Sequence, residues 1–90
     1  MAYIYKYQLE ITDSQVLSLP VDAQLLSVGN QRGLLCLWVL EGKTEDANVC
    51  DWEIRIFGTG HTIPANERLR FVGTAIMEGG ILVWHVFHKT

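Results

Sequence analysis

The residues best equipped for chemistry lie in Gly58-Thr59-Gly60-His61-Thr62. Two glycines flank a hydroxyl residue and a histidine follows. Placed directly after a strand, such a run can turn backbone N–H groups toward an anion. Thr59 and Thr62 add hydroxyl donors, and His61 adds an imidazole. Arg55, Arg68 and Arg70 recur on the polar faces of neighbouring strands, where they can face one phosphate or simply solvent. Trp52, beside a polar loop, is the tryptophan expected to be most exposed and free to stack on a base. The expected ligand or anion site is therefore Gly58, Thr59, Gly60, His61 and Thr62 with Arg55, Arg70 and Trp52. The competing reading is a glycine turn that needs positive φ and binds nothing. No Walker-type lysine on a following helix is present, and the run is not a dinucleotide fingerprint.

Metal binding and catalysis find less support. The three histidines are His61, His85 and His88. His85 and His88 are an odd number of residues apart on one strand, so they point to opposite faces and cannot share one ion. His85 is expected opposite Thr74, as a satisfied, partly buried residue. Asp13, Asp22, Asp46 and Asp51 fall in or near loops, and no Ser/His/Asp spacing stands out. A catalytic carboxylate pair needs two of them in one cleft. The expectation is a non-enzymatic protein without metal or cofactor.

Those side chains must be held by a small framework. Ninety residues make one domain. A chain of this size buries only roughly 60–65% of its unfolded surface. Apolar residues are 49% and charged residues 19%, which excludes disorder and predicts a surface short of charge. The net charge of −3, with seven scattered basic residues, argues against a nucleic-acid partner. The longest apolar run, seven residues, is too short to span a bilayer as a helix. The N-terminus has no secretory pattern, so a cytoplasmic protein is expected. Cys36 and Cys50 show neither framework nor metal spacing and read as two reduced thiols.

Gly33–Leu40, Gly-Leu-Leu-Cys-Leu-Trp-Val-Leu, organises the chain. It reads as a strand covered on both faces, and Ile81–Phe87 repeats the pattern. Tyr3–Ile11 alternates, with Tyr3, Tyr5, Tyr7, Leu9 and Ile11 on one face. Val16–Leu19 is a short strand at an edge, because Pro20 cannot donate to a ladder; one helical turn over Asp13–Leu19 is the other possibility. Ala23–Val28 enters a turn at Arg32-Gly33, which sets Ser27 against Trp38, Val28 against Leu37, Gly29 against Cys36 and Leu26 against Val39. Trp52–Gly58 puts Trp52, Ile54 and Ile56 on one face and Glu53 and Arg55 on the other. Glu67–Met77 is a strand carrying Leu69, Phe71, Gly73, Ala75 and Met77 on one side. Gly79-Gly80 suits a two-residue hairpin loop, which sets Trp84 against Ala75, His85 against Thr74, Val83 against Ile76 and Phe87 against Val72.

About seven strands and no 3.6-residue period predict an all-β fold, an antiparallel β-sandwich or small barrel. Two return strands lack a wet face and no helix covers them. That predicts a homo-oligomer, with Leu35, Leu37, Val83, His85 and Phe87 at its interface. A closed barrel with scattered surface hydrophobes is the alternative.

Several segments together resemble a family of short uncharacterised proteins encoded by bacteriophages and prophages. They are Tyr7-Gln8-Leu9-Glu10-Ile11-Thr12-Asp13, Leu19-Pro20, Leu26-Ser27-Val28, Leu35-Cys36-Leu37-Trp38, Phe57-Gly58-Thr59-Gly60-His61, Leu69-Arg70-Phe71-Val72-Gly73-Thr74 and Val83-Trp84-His85-Val86-Phe87. The resemblance covers nearly the whole chain and is weakest over Glu41–Asp51. It implies a phage accessory protein in the cytoplasm of the infected bacterial host, and it carries no activity or site residues. Two function classes follow. One is a counter-defence factor that sequesters a nucleotide-type, phosphate-bearing signal or blocks a host defence protein. The other is a structural or assembly protein that uses its apolar strands for protein contacts.

Overall fold

The computed structural model describes residues 1–90. Seven strands form two antiparallel sheets: β1 (Tyr3–Gln8), β2 (Ser14–Pro20), β3 (Gln24–Gln31), β4 (Leu34–Glu41), β5 (Val49–Gly58), β6 (Leu69–Met77) and β7 (Leu82–Lys89). One sheet has the order β1-β4-β3 and the other β2-β5-β7-β6. The Cα extents of 41 × 34 × 15 Å fit two stacked layers, whose faces pack about 10 Å apart. The fold is a sandwich-like all-β architecture.

Turn chemistry sets both organising hairpins. Arg32 and Gly33 have φ of 55° and 79°, and Gln31 pairs with Leu34 across them. Asn30 fixes this turn with its side chain, whose Oδ1 accepts from Gly33 N–H at 2.9 Å. The second hairpin needs more left-handed backbone than its two glycines supply. Glu78 joins Gly79 and Gly80 at positive φ, and Ile81 N–H donates to Glu78 O at 3.2 Å.

Near each turn the pairing is the expected one. Ser27 faces Trp38, Val28 faces Leu37 and Gly29 faces Cys36; Ala75 faces Trp84, Thr74 faces His85 and Ile76 faces Val83. Farther out, each hairpin carries a bulge. Leu25, not Leu26, opposes Val39, and Phe71, not Val72, opposes Phe87. The extra residue reverses the faces beyond it. Phe71 therefore leaves the side it was expected to share with Ala75 and Met77 and points outward, 57% exposed.

Leu9, Leu19, Leu35, Leu37, Val39, Ile54, Ile56, Ala75, Met77 and Val86 fill the space between the sheets. Pro20 ends an edge strand, as its missing N–H requires; β2 contains no helical turn. The alternation expected over Tyr3–Ile11 holds through β1, but Tyr3 and Tyr5 stay largely exposed because β1 is also an edge. The sandwich is joined along one side, where β3 meets β6. Asn30 Nδ2 donates to Ile76 O at 3.3 Å there, and Gly73 lies against Val28.

Leu35 and Leu37 are 2% and 0% exposed inside this core. They are thereby removed from the subunit interface expected for them. The even-numbered residues of β4, Leu34, Cys36, Trp38 and Leu40, form the outer face instead. Cys36 is still buried, and on the same face Lys6 on β1 reaches across β4 to Gln31 on β3, whose Oε1 accepts from its Nζ at 2.6 Å. Both cysteines are free thiols.

Candidate functional site

β5 carries the expected site residues to three separate places. Trp52 and Gly58 are six residues apart on one strand, which is about 20 Å at the rise of an extended chain. The side chain of Arg55 points to the opposite face from Trp52.

At one end of β5, Gly58–His61 folds into a tight turn. His61 N–H donates to Gly58 O at 3.0 Å, with Gly60 at φ 89°. The turn itself uses two of the groups expected to face an anion, the Gly58 N–H and the Thr59 hydroxyl. Gly58 N–H donates to His61 Nδ1 at 3.1 Å. That nitrogen carries no proton, so the neutral ring keeps its proton on Nε2. Thr59 Oγ1 bonds His85 Nε2 at 2.9 Å, and Thr74 Oγ1 bonds His85 Nδ1 at 2.9 Å. His85 is thus satisfied at both ring nitrogens and ties the turn to β7. Behind the turn is a cavity of ≈ 160 Å³ lined by Ile11, Thr12, Asp13, Ile56, His61 and Trp84. The indole N–H of Trp84 is buried there without an acceptor.

On the outer face of the four-stranded sheet, Arg55 is fully engaged. It pairs with Glu67 and, at 3.7 Å, with Glu53; its Nε donates to Asp13 O at 3.2 Å. Its guanidinium lies 5.4 Å above the Phe57 ring. Neutralised in this way, Arg55 is not available to a phosphate. Beside it runs an aromatic row. Phe87 stacks edge-on between Phe57 at 5.7 Å and Phe71 at 5.4 Å. Ile76, 61% exposed, and Val83 lie on the same face beyond the Thr74–His85 pair. Val83 and Phe87, expected at an interface, do lie on this outer face.

At the other end of β5 is a second cavity, ≈ 200 Å³ in volume, lined by Ala23, Gln24, Leu25, Trp52, Arg70, Phe71, Val72 and His88. Trp52 is not the exposed ring expected from its neighbouring loop. It packs against the core, 5.3 Å from the His88 ring, with its indole N–H buried and unpaired. Arg70 and His88 are directly opposed in the β6–β7 ladder. Burial first, and then the Arg70 charge, hold the His88 imidazole below its ordinary pKa. Arg70 makes no ion pair and no side-chain hydrogen bond. Gln24, another lining residue, accepts from Lys43 Nζ at 2.9 Å through its Oε1.

Arg70 and Trp52 therefore come together with each other, and not with Gly58–Thr62. His88 and Gln24 were not legible as members of this group. The only sequence signal was the parity of β7, which sets His88 on the side opposite His85.

Asp22 has both carboxylate oxygens buried without a protein partner, but it lines neither cavity. No curated protein and no solved structure matches the chain. All of it, residues 1–90, matches the family described as Domain of unknown function (DUF7352), and the chain belongs to that family.

Proposed function

We propose that the protein is a non-enzymatic bacteriophage accessory factor that binds and blocks a host defence protein in the bacterial cytoplasm. The observation that carries this reading is the outer face of the four-stranded sheet. Phe71 and Phe87 pack edge-on there, Ile76 and Val83 lie on the same face beyond the His85–Thr74 pair, and Phe71 and Ile76 are 57% and 61% exposed. Exposed aromatic and aliphatic side chains grouped on a flat face are what protein partners bury. The phage setting comes from the family resemblance of the sequence segments. A second copy of the chain would bury the same face, which is the homo-oligomer expected from the apolar strands.

The test uses bacteria that carry one defence system at a time. Expression of the protein should restore plating of a sensitive phage under one of them. Ile76→Lys, at an exposed edge-strand position, should keep the fold and lose the rescue. Sedimentation of both forms reads self-association on the same samples. Rescue by Ile76→Lys as strong as by the wild type would remove the face from the reading. Recovery of the protein from purified virions would favour the structural or assembly role instead.

Sequestration of a nucleotide-type signal is the second reading. The observation that favours it is the uncommitted guanidinium of Arg70 beside Trp52 and His88.

A further inference from the structure

We infer that the cavity walled by Trp52, Arg70 and His88 is a binding site for the phosphate group of a small ligand. The inference gives the sequestration reading its chemistry and is independent of the protein-blocking one.

Charge is the first argument. The chain is acidic overall, at −3, yet no carboxylate lines this cavity. Arg55 and Lys89 are both neutralised by Glu67. Arg70 has no such partner, and it stands in a concave site rather than on an open face. A guanidinium offers a planar fork of donors that fits an oxyanion through two parallel hydrogen bonds. A doubly charged phosphate is attracted to that cation more strongly than a singly charged carboxylate.

His88 supplies the second argument. Its ring sits directly across the ladder from Arg70, so the two compete for positive charge. The ring is held neutral by burial and by that neighbour. A phosphate entering beside Arg70 supplies the missing countercharge, and His88 then faces an acceptor rather than a repelling cation. The two basic side chains of the lining have no acid beside them there.

Size and shape fix the rest. A cavity of ≈ 200 Å³ is below the roughly 300–1,000 Å³ of sites that engulf a drug-sized ligand. It takes a phosphate with part of a sugar, and leaves the rest of the ligand outside.

The test follows the assigned ring resonances of His88 and Trp52 by NMR. The folded wild-type chain is titrated with inorganic phosphate, adenosine monophosphate and acetate at matched ionic strength. Phosphate and the nucleotide should each give saturable shifts at His88. Arg70→Gln, at an exposed position, should weaken both at least tenfold with an unchanged melting temperature. Linear shifts that sodium chloride reproduces would overturn the site. So would acetate binding as tightly as phosphate, or Arg70→Gln binding like the wild type. Such a failure removes the sequestration reading and leaves the plating test of the outer face unaffected.

Discussion

Gly73 on β6 lies so close to Val28 on β3 that a Cβ built on it would come within 2.9 Å of Val28 Cγ2. This contact is where one sheet meets the other. Its φ is ordinary, so the glycine is there for closeness and not for backbone freedom. The branched Val28 side chain is stiff and cannot swing away. Gly73→Ala should therefore destabilise the fold by about 1–3 kcal/mol, as overpacking does. Val28→Ala removes the clashing methyl. The double variant should then be more stable than the sum of the two single losses requires, which a double-mutant cycle by urea denaturation reads directly.

Leu37 separates core from interface. With 0% exposure between the sheets, Leu37→Ala should lower stability by about 2–5 kcal/mol. The loss should appear at every protein concentration. A residue whose role was to join subunits would instead shift the midpoint with concentration, so denaturation at two concentrations a hundredfold apart settles the matter.

Tyr7 makes stability sensitive to alkali. Its hydroxyl donates to Glu41, and the two side chains sit on neighbouring strands β1 and β4. Burial, then the hydrogen bond to Glu41, then the charges of Glu41 and Tyr5 push the phenol from 10.0 up to about 12. The folded state thus favours the protonated phenol. That contribution is fully present below pH 10.0 and is lost as the pH rises toward about 12. Denaturation across this window should show a fall in stability that Tyr7→Phe lacks. The ultraviolet phenolate band should show one tyrosine titrating late.

Thr59 anchors the glycine turn through His85. Thr59→Ala should cost about 0.5–1.5 kcal/mol, the net worth of one hydrogen bond, at the low end because the site is exposed. Its sharper signature is local. Amide exchange of His61, whose N–H closes the turn on Gly58 O, should quicken while exchange at Val86 in the core stays unchanged. Equal acceleration at both would show that Thr59 acts on global stability alone.

Much of the candidate site was legible as residue types and little of it as a place. Alternation along β5 correctly set Trp52 on the face opposite Arg55, and that alone should have divided the expected cluster. Gly58–His61 was recognisable as a glycine turn. Its use of its own N–H groups was not, because the bond to His61 Nδ1 depends on one imidazole rotamer. Arg70 and Trp52 were rightly noticed as a cation and a ring. Their companion His88 reaches them only across two ladders.

The sequence by itself determined the strands and the register beside each turn. Arg32-Gly33 and Gly79-Gly80 demand left-handed backbone, and alternation does the rest over a few residues. Tertiary structure decided the bulges opposite Val39 and Phe87, the order β2-β5-β7-β6, and the meeting of β3 with β6. Those choices turned Leu35 and Leu37 inward and Phe71 outward. The reason is range: a turn acts through bonds between neighbours, whereas a bulge or a strand order is settled by which distant side chains, such as Val28 and Gly73, can share one space.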